Sequence, residues 1–333
     1  MINRQRLAGR PTLARTRFVV SPLAELVGAL ASGVVALEEP RRARPQSTSA
    51  PSRTEGVDPV AFHRWRVADP LNSAFTDLIA HTKWFPDLVG LTPPATGDVR
   101  LIDELAQIAA WDQQAAVSTI EDSINAAWTP QQTAWLAAPD LPSRIAAALG
   151  SAWDQLIAPD WPRRQRILRR EIAFRTALVG TTGWAGAVDG IARDVTWEDP
   201  DALLISRRTD RSLTVSSHLC FVPTTQIRGR WTCDGPVGVA LVYGARGSRA
   251  AVSPRTGKAL GKLLGIGRAA VLLALDLPGT PSQLHAELGY ALGTVGGHLA
   301  VLEGAGLVHR ARTGREVHYR RTELGENLVG EQG

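Results

Sequence analysis

Residues 280–302 constrain the fold more than any other stretch of this 333-residue chain. Thr280 reads as a helix N-cap, and Pro281 suits the first helical position, where its missing N–H is not needed. The helix predicted over 281–288 places Leu284 and Leu288 on one face. Gly289 then supplies the turn, because a residue leaving a helix there adopts positive φ, which glycine does without strain. A second helix is predicted over about 292–304, with Val295, Leu299 and Leu302 as its inner stripe. Two helices joined through a short glycine turn make a helix-turn-helix.

The flanks extend this pattern. Leu263 and Leu264, then Ala269, Ala270, Leu272, Leu273 and Leu275, form two short apolar helical segments broken near Gly265 and Gly267, and Pro278-Gly279 ends the second. Ala305-Gly306-Leu307-Val308 leads into a strand. A two-residue turn at Thr313-Gly314 would close a hairpin in which Arg312 faces Arg315, Arg310 faces Val317 and His309 faces His318. The three arginines then share one face of the ribbon. Like charges so placed repel unless a polyanion lies against them, as a phosphate backbone would.

This stretch resembles the DNA-binding domain of bacterial ArsR-type regulators. The matching residues are Leu284, Leu288-Gly289, Gly293-Thr294-Val295, His298-Leu299-Ala300-Val301-Leu302, Ala305-Gly306-Leu307-Val308, the 310–319 hairpin and Arg320-Arg321-Thr322. The resemblance implies a homodimer on double-stranded DNA, with one recognition helix per protomer in the major groove and a wing over the backbone. Thr294 and His298 would read base edges, while Arg310, Arg312, Arg315 and Arg268 would contact phosphate.

The departures from the pattern are specific. His285 stands where the motif has a small residue. Ala291 replaces the Ser or Thr that caps the recognition helix. Gly296 and Gly297 replace polar base-facing residues, at about 2 kcal/mol of helix propensity relative to alanine. Metal-sensing relatives carry a cysteine pair on or near the helix-turn-helix; no cysteine follows Cys233, which excludes that form of thiolate sensing. His309 and His318 alone are too few ligands for zinc, and no cofactor is expected.

The net charge is +5, and residues 255–325 hold nine basic side chains against five acidic ones. Most of the excess therefore lies in the module that would meet a polyanion. The two cysteines, Cys220 and Cys233, fit a reducing cytoplasm. Residues 18–37 run nearly uncharged, but Pro22 and Glu25 interrupt them; they read as a helix capped by Ser21 and packed into the core. No other stretch is long and apolar enough to span a membrane.

The fold expected is mainly α with a small antiparallel β subdomain and a C-terminal winged helix-turn-helix. Residues 1–17, with Arg4, Arg6, Arg10, Arg15 and Arg17 and no acid, read as a basic disordered arm. Residues 18–190 read as a helical domain, 191–250 as the small antiparallel sheet region, and 255–326 as the DNA-binding module. Within the helical part, Arg163, Arg164, Arg166, Arg169 and Arg170 would form the wet side of an amphipathic helix. The longer N-terminal part is also similar to the domain of unknown function that precedes the module in a subset of ArsR-like regulators. It shares Phe18-Val19-Val20-Ser21-Pro22-Leu23, Phe85-Pro86-Asp87, Leu91-Thr92-Pro93-Pro94, Trp161-Pro162 and Val242-Tyr243 with that domain.

No phosphate loop and no nucleophile elbow occurs, and the adjacent acids Asp103/Glu104 and Glu121/Asp122 diverge on a helix, so no enzyme is indicated. All ten tryptophans precede the module, between Trp65 and Trp231. A small-molecule effector would sit among the helices carrying Trp111, Trp135, Trp153 and Trp161, or against the sheet around Trp231. The leading expectation is a dimeric transcriptional regulator. The alternative is a degenerate module used for dimerisation or protein interaction without sequence-specific DNA binding.

Overall fold

The computed structural model describes residues 2–7, 15–38, 56–93, 99–192, 195–198, 202–206, 212–215, 218–226, 231–235, 238–245, 254–275, 278–313 and 316–330. The chain divides into two units, Met1–Gly244 and Ala245–Gly333. Helices dominate both, and no described helix is long and apolar enough to cross a membrane.

The first unit is built around α1 (Pro22–Glu38), which is buried along most of its length. Ser21 caps it, its hydroxyl oxygen accepting from the Ala24 N–H at 3.0 Å. Around it pack α2 (Pro59–Val67), α3 (Pro70–His81), α4 (Leu101–Ala109), α5 (Gln113–Asn125) and α6 (Leu141–Ala152). Their starts follow ordinary capping chemistry. Asp58, Asp69 and Asp112 accept from backbone N–H groups at 2.7, 2.8 and 2.9 Å, and prolines open α2 and α3. Gly33 lets the Phe62 ring lie against α1, where a Cβ would sit 2.9 Å from the ring.

α7 (Trp161–Val188) breaks at Gly183, whose φ of 72° and ψ of −172° are not helical. Arg175 Nη1 consequently reaches the carbonyls of Ala187 and Asp189 at 2.8 and 2.6 Å, and its Nε reaches Glu171 at 2.7 Å. A straight helix would hold Ala187 about 18 Å away along its axis. The basic face expected on this helix is only partly wet. Arg164 is buried, because its guanidinium donates to Glu25 Oε1 at 2.7 Å, to Thr225 Oγ1 at 3.1 Å and to the Gly56 carbonyl at 2.6 Å. Glu25 also accepts from the Thr225 N–H at 2.7 Å and from the Thr225 hydroxyl. One buried ion pair therefore joins α1, α7 and the end of a strand.

The strands differ from the expected small antiparallel sheet. One sheet has the order β2 (Arg17–Phe18), β6 (Leu219–Thr224), β8 (Gly238–Gly244), β7 (Trp231–Gly235), with β2 and β6 parallel, β6 and β8 parallel, and β7 and β8 antiparallel. The other has the order β3 (Val195–Glu198), β4 (Ala202–Ser206), β1 (Ile2–Leu7), β5 (Ser212–Val215), with β1 and β5 parallel and the remaining pairs antiparallel. β6 and β8 are apolar without alternation because both their faces are covered, the usual condition of parallel central strands. Cys220, Val222, Ala240 and Val242 face the helical core, while Leu219, Phe221, Val239, Leu241 and Tyr243 join a second core with Val195, Leu203, Ile205 and Val215. The strands and helices thus share one unit. β1 corrects the disordered arm: residues 2–7 pair with β4 and β5, partners about two hundred positions away that local charge counting does not reveal.

The second unit comprises α8 (Pro254–Leu264), α9 (Ile266–Ala274), α10 (Pro281–Leu288), α11 (Leu292–Gly304), the antiparallel pair β9 (Val308–Thr313) and β10 (Glu316–Arg321), and α12 (Glu323–Gly330). Its core joins Val271, Leu272 and Leu275 to Leu284, Val295, Leu299, Leu302, Leu307 and Val308.

Arg164→Leu leaves Glu25 buried without its cation, and a loss of about 3–5 kcal/mol is expected from urea unfolding. Pairing it with Glu25→Gln should restore part of that loss; a single variant as stable as the native chain would contradict the role given to the pair. Burial pushes the Glu104 carboxyl up to about 7, against hydrogen bonds from the Ser21 hydroxyl at 2.5 Å and the Leu23 N–H at 2.8 Å. Between its ordinary pKa and 7, the folded chain holds a proton that the unfolded chain has released. The stability this group contributes is therefore complete below its ordinary pKa and is lost as pH rises through about 7. Urea midpoints at pH 5 and pH 8 should fall further for the native chain than for Glu104→Gln; an equal fall in both removes Glu104 as the cause.

Candidate nucleic-acid interface

Local sequence sets α10 firmly. The Thr280 hydroxyl accepts from the Gln283 N–H at 3.2 Å while the Gln283 side chain accepts from the Thr280 N–H at 2.8 Å, a reciprocal capping box. Gly289 ends the helix at φ 71°, as the sequence predicts. His285, the bulky departure in this helix, bonds the Tyr290 carbonyl through Nδ1 at 2.5 Å. It thereby ties the end of α10 to the residue that leads into α11.

α11 buries Val295, Leu299 and Leu302 and turns Leu292, Gly293, Thr294, Gly296, Gly297, Ala300 and Val301 outward. Its N-cap, Ala291, makes no side-chain hydrogen bond. The N–H groups of the first turn have no acceptor within the helix. The outward face carries no acid before Glu303, which lies in the last turn.

The sequence-predicted site residues separate into groups. Thr294 is exposed on the outward face. His298 is half-buried instead, its ring meeting Tyr290 edge-on with centroids 6.1 Å apart and lying close to Gly267, where a Cβ would overlap it. Arg268 is also half-buried, its Nε donating to the Leu264 carbonyl at 2.5 Å across the bend between α8 and α9. Arg310 is exposed and pairs with Glu303 at 3.2 Å. Arg312 is exposed on the same face of β9. Arg315 lies outside the described residues.

The hairpin register differs from the expected one by two residues. Thr313 pairs with Glu316, Arg312 with Val317, Ala311 with His318, Arg310 with Tyr319 and His309 with Arg320. His309 and His318 are therefore not opposite each other, and Arg312 faces Val317 in place of Arg315. A slip of two keeps every side chain on its face. Contacts distant in sequence set the register. Tyr319 exchanges two backbone hydrogen bonds of 2.9 Å with Gly279, and Arg321 donates to the Leu272 and Leu273 carbonyls at 2.8 Å each. Arg321 is thus a C-terminal cap for α9, while Arg320, opposite His309, is exposed on the other face of the hairpin from Arg310 and Arg312. Gly325 is fixed by contact as well, since a Cβ there would overlap the Leu307 carbonyl.

The outward face of α11 is accordingly smooth and uncharged, and it ends at the basic hairpin. A Cβ at Gly296 or Gly297 would meet nothing within 4 Å. Gly296→Ala and Gly297→Ala should therefore each raise stability by about 1 kcal/mol through helix propensity alone. Thermal or urea unfolding checks this, and a loss in either variant would mean that the face is occupied. In comparisons with known proteins, the chain matches no protein-family model, no curated protein and no solved structure.

Proposed function

We propose that Ala245–Gly333 is a winged helix-turn-helix that binds double-stranded DNA, and that the chain acts as a cytoplasmic, dimeric transcriptional regulator. The observation that carries the reading is an outward helix face without an acid before Glu303, which ends at a hairpin where Arg310 and Arg312 are exposed on one face. α11 enters the major groove with Thr294 as its base-edge side chain. The uncapped N–H groups of its first turn, at the positive end of the helix dipole, donate to a phosphate. The hairpin follows the backbone. With two glycines on the reading face and His298 turned toward Tyr290, most of the affinity is electrostatic and sequence discrimination is modest.

Exposed Leu292 and Val301, each about half accessible on α11, favour a second reading in which this face meets a protein partner. A duplex titration of the full chain across a salt series separates the two. DNA binding predicts that log affinity falls linearly with log salt. Arg310→Ala with Arg312→Ala should weaken binding to any duplex and reduce the slope by about 2. No binding at low salt would remove the DNA reading and leave the protein-interaction reading.

A further inference from the structure

The first unit contains a cleft of about 710 Å³ between β2 and its link to α1, the start of α4, and the first turns of α7. That volume lies in the range of small-molecule sites. Its aromatic wall is Trp153 against Trp161, edge-to-face with centroids 4.9 Å apart, both half-buried. Trp153 opens a π-helical turn, Trp153–Ile157, a local widening that often accompanies a binding function. Opposite, Ile102 lines the cleft while remaining 65% exposed, an apolar side chain with no cover of its own.

The charges in the cleft are one-sided. Among the described residues, three arginines line it, Arg17, Arg100 and Arg169, and no carboxylate does. Arg100 is satisfied by a two-pronged pair with Asp103 at 2.8 and 2.7 Å. Among the described residues, Arg17 donates only to the Arg15 carbonyl at 3.5 Å and Arg169 has no ion-pair partner. Two other clefts in this unit lack this imbalance. In one, Arg66 is paired to Asp77 beside Glu38; in the other, Asp69 lies with Arg144 and Arg64, so a carboxylate is part of each lining.

We propose that this cleft binds a small aromatic carboxylate, with the ring against Trp153 and Trp161 and the carboxylate on the side of Arg17 and Arg169. Gln165, also in the lining, supplies a neutral polar group at the same wall. Trp153 and Trp161 are among the tryptophans where a small-molecule effector is expected from the sequence, and the site stands whether or not Ala245–Gly333 binds DNA.

The test is calorimetric titration of the full chain, without DNA, using 2-naphthoate and its neutral counterpart 2-naphthalenemethanol. Saturable naphthoate binding is expected, about tenfold or more tighter than that of the alcohol, from charge-assisted hydrogen bonds. Arg169→Gln, at an exposed position that leaves the core untouched, should lower naphthoate affinity and spare the alcohol, and adding Arg17→Gln should abolish the preference. Trp153→Leu should weaken both ligands. Equal affinity for the two ligands, no saturable binding of naphthoate at millimolar concentration, or a preference that survives the double arginine variant would each overturn the site.

Discussion

Burial of Val295, Leu299 and Leu302 against Val271, Leu272 and Leu284 is the interaction on which the functional reading rests. These side chains are completely or almost completely removed from water, which is worth roughly 1.5–3 kcal/mol for each. Because a helix has only one such stripe, burying it fixes which residues turn outward. Thr294, Gly296 and Gly297 face solvent through that constraint, without contacts of their own to hold them there. The helix itself is weak, with glycines at 293, 296 and 297, so tertiary packing and not propensity maintains it.

The first unit is held differently. Its central helix is buried on nearly all sides and carries one carboxylate, Glu25, into the core. An unpaired charge there would be untenable, and Arg164 and Thr225 make it tolerable. The same logic recurs at Glu171 with Arg175 and Tyr243. Each network joins elements far apart in sequence, so each fixes how helices and strands meet. Such pairs are poor sources of stability compared with apolar packing, but breaking one is severe.

Legibility in the sequence followed the range of the interaction. Thr280 with Gln283, Gly289, and the spacing of Val295, Leu299 and Leu302 are contained within a few residues, and the helices they predict are present. The strands were visible as apolar runs, but their direction was not. Continuous burial of β6 and β8 on both faces reflects parallel pairing, whereas reading turn residues between short strands favoured antiparallel hairpins. β1 was hidden because its partners are far along the chain. The hairpin register escaped for a similar reason, since Gly279 and the carbonyls of α9 set it. His298 and Arg164 looked like surface groups by helical spacing alone; Tyr290 and Gly267 in one case, and Glu25 in the other, draw them inward.

Backbone amide exchange of the full chain, with and without a duplex at low salt, decides whether α11 and the hairpin meet DNA. The account predicts slowed exchange at residues 292–294, where the uncapped N–H groups would meet phosphate, and along β9 and β10, with the cores around Leu26 and Phe221 unchanged. Exchange at 292–294 that does not respond to DNA, or protection confined to Met1–Gly244, would contradict it.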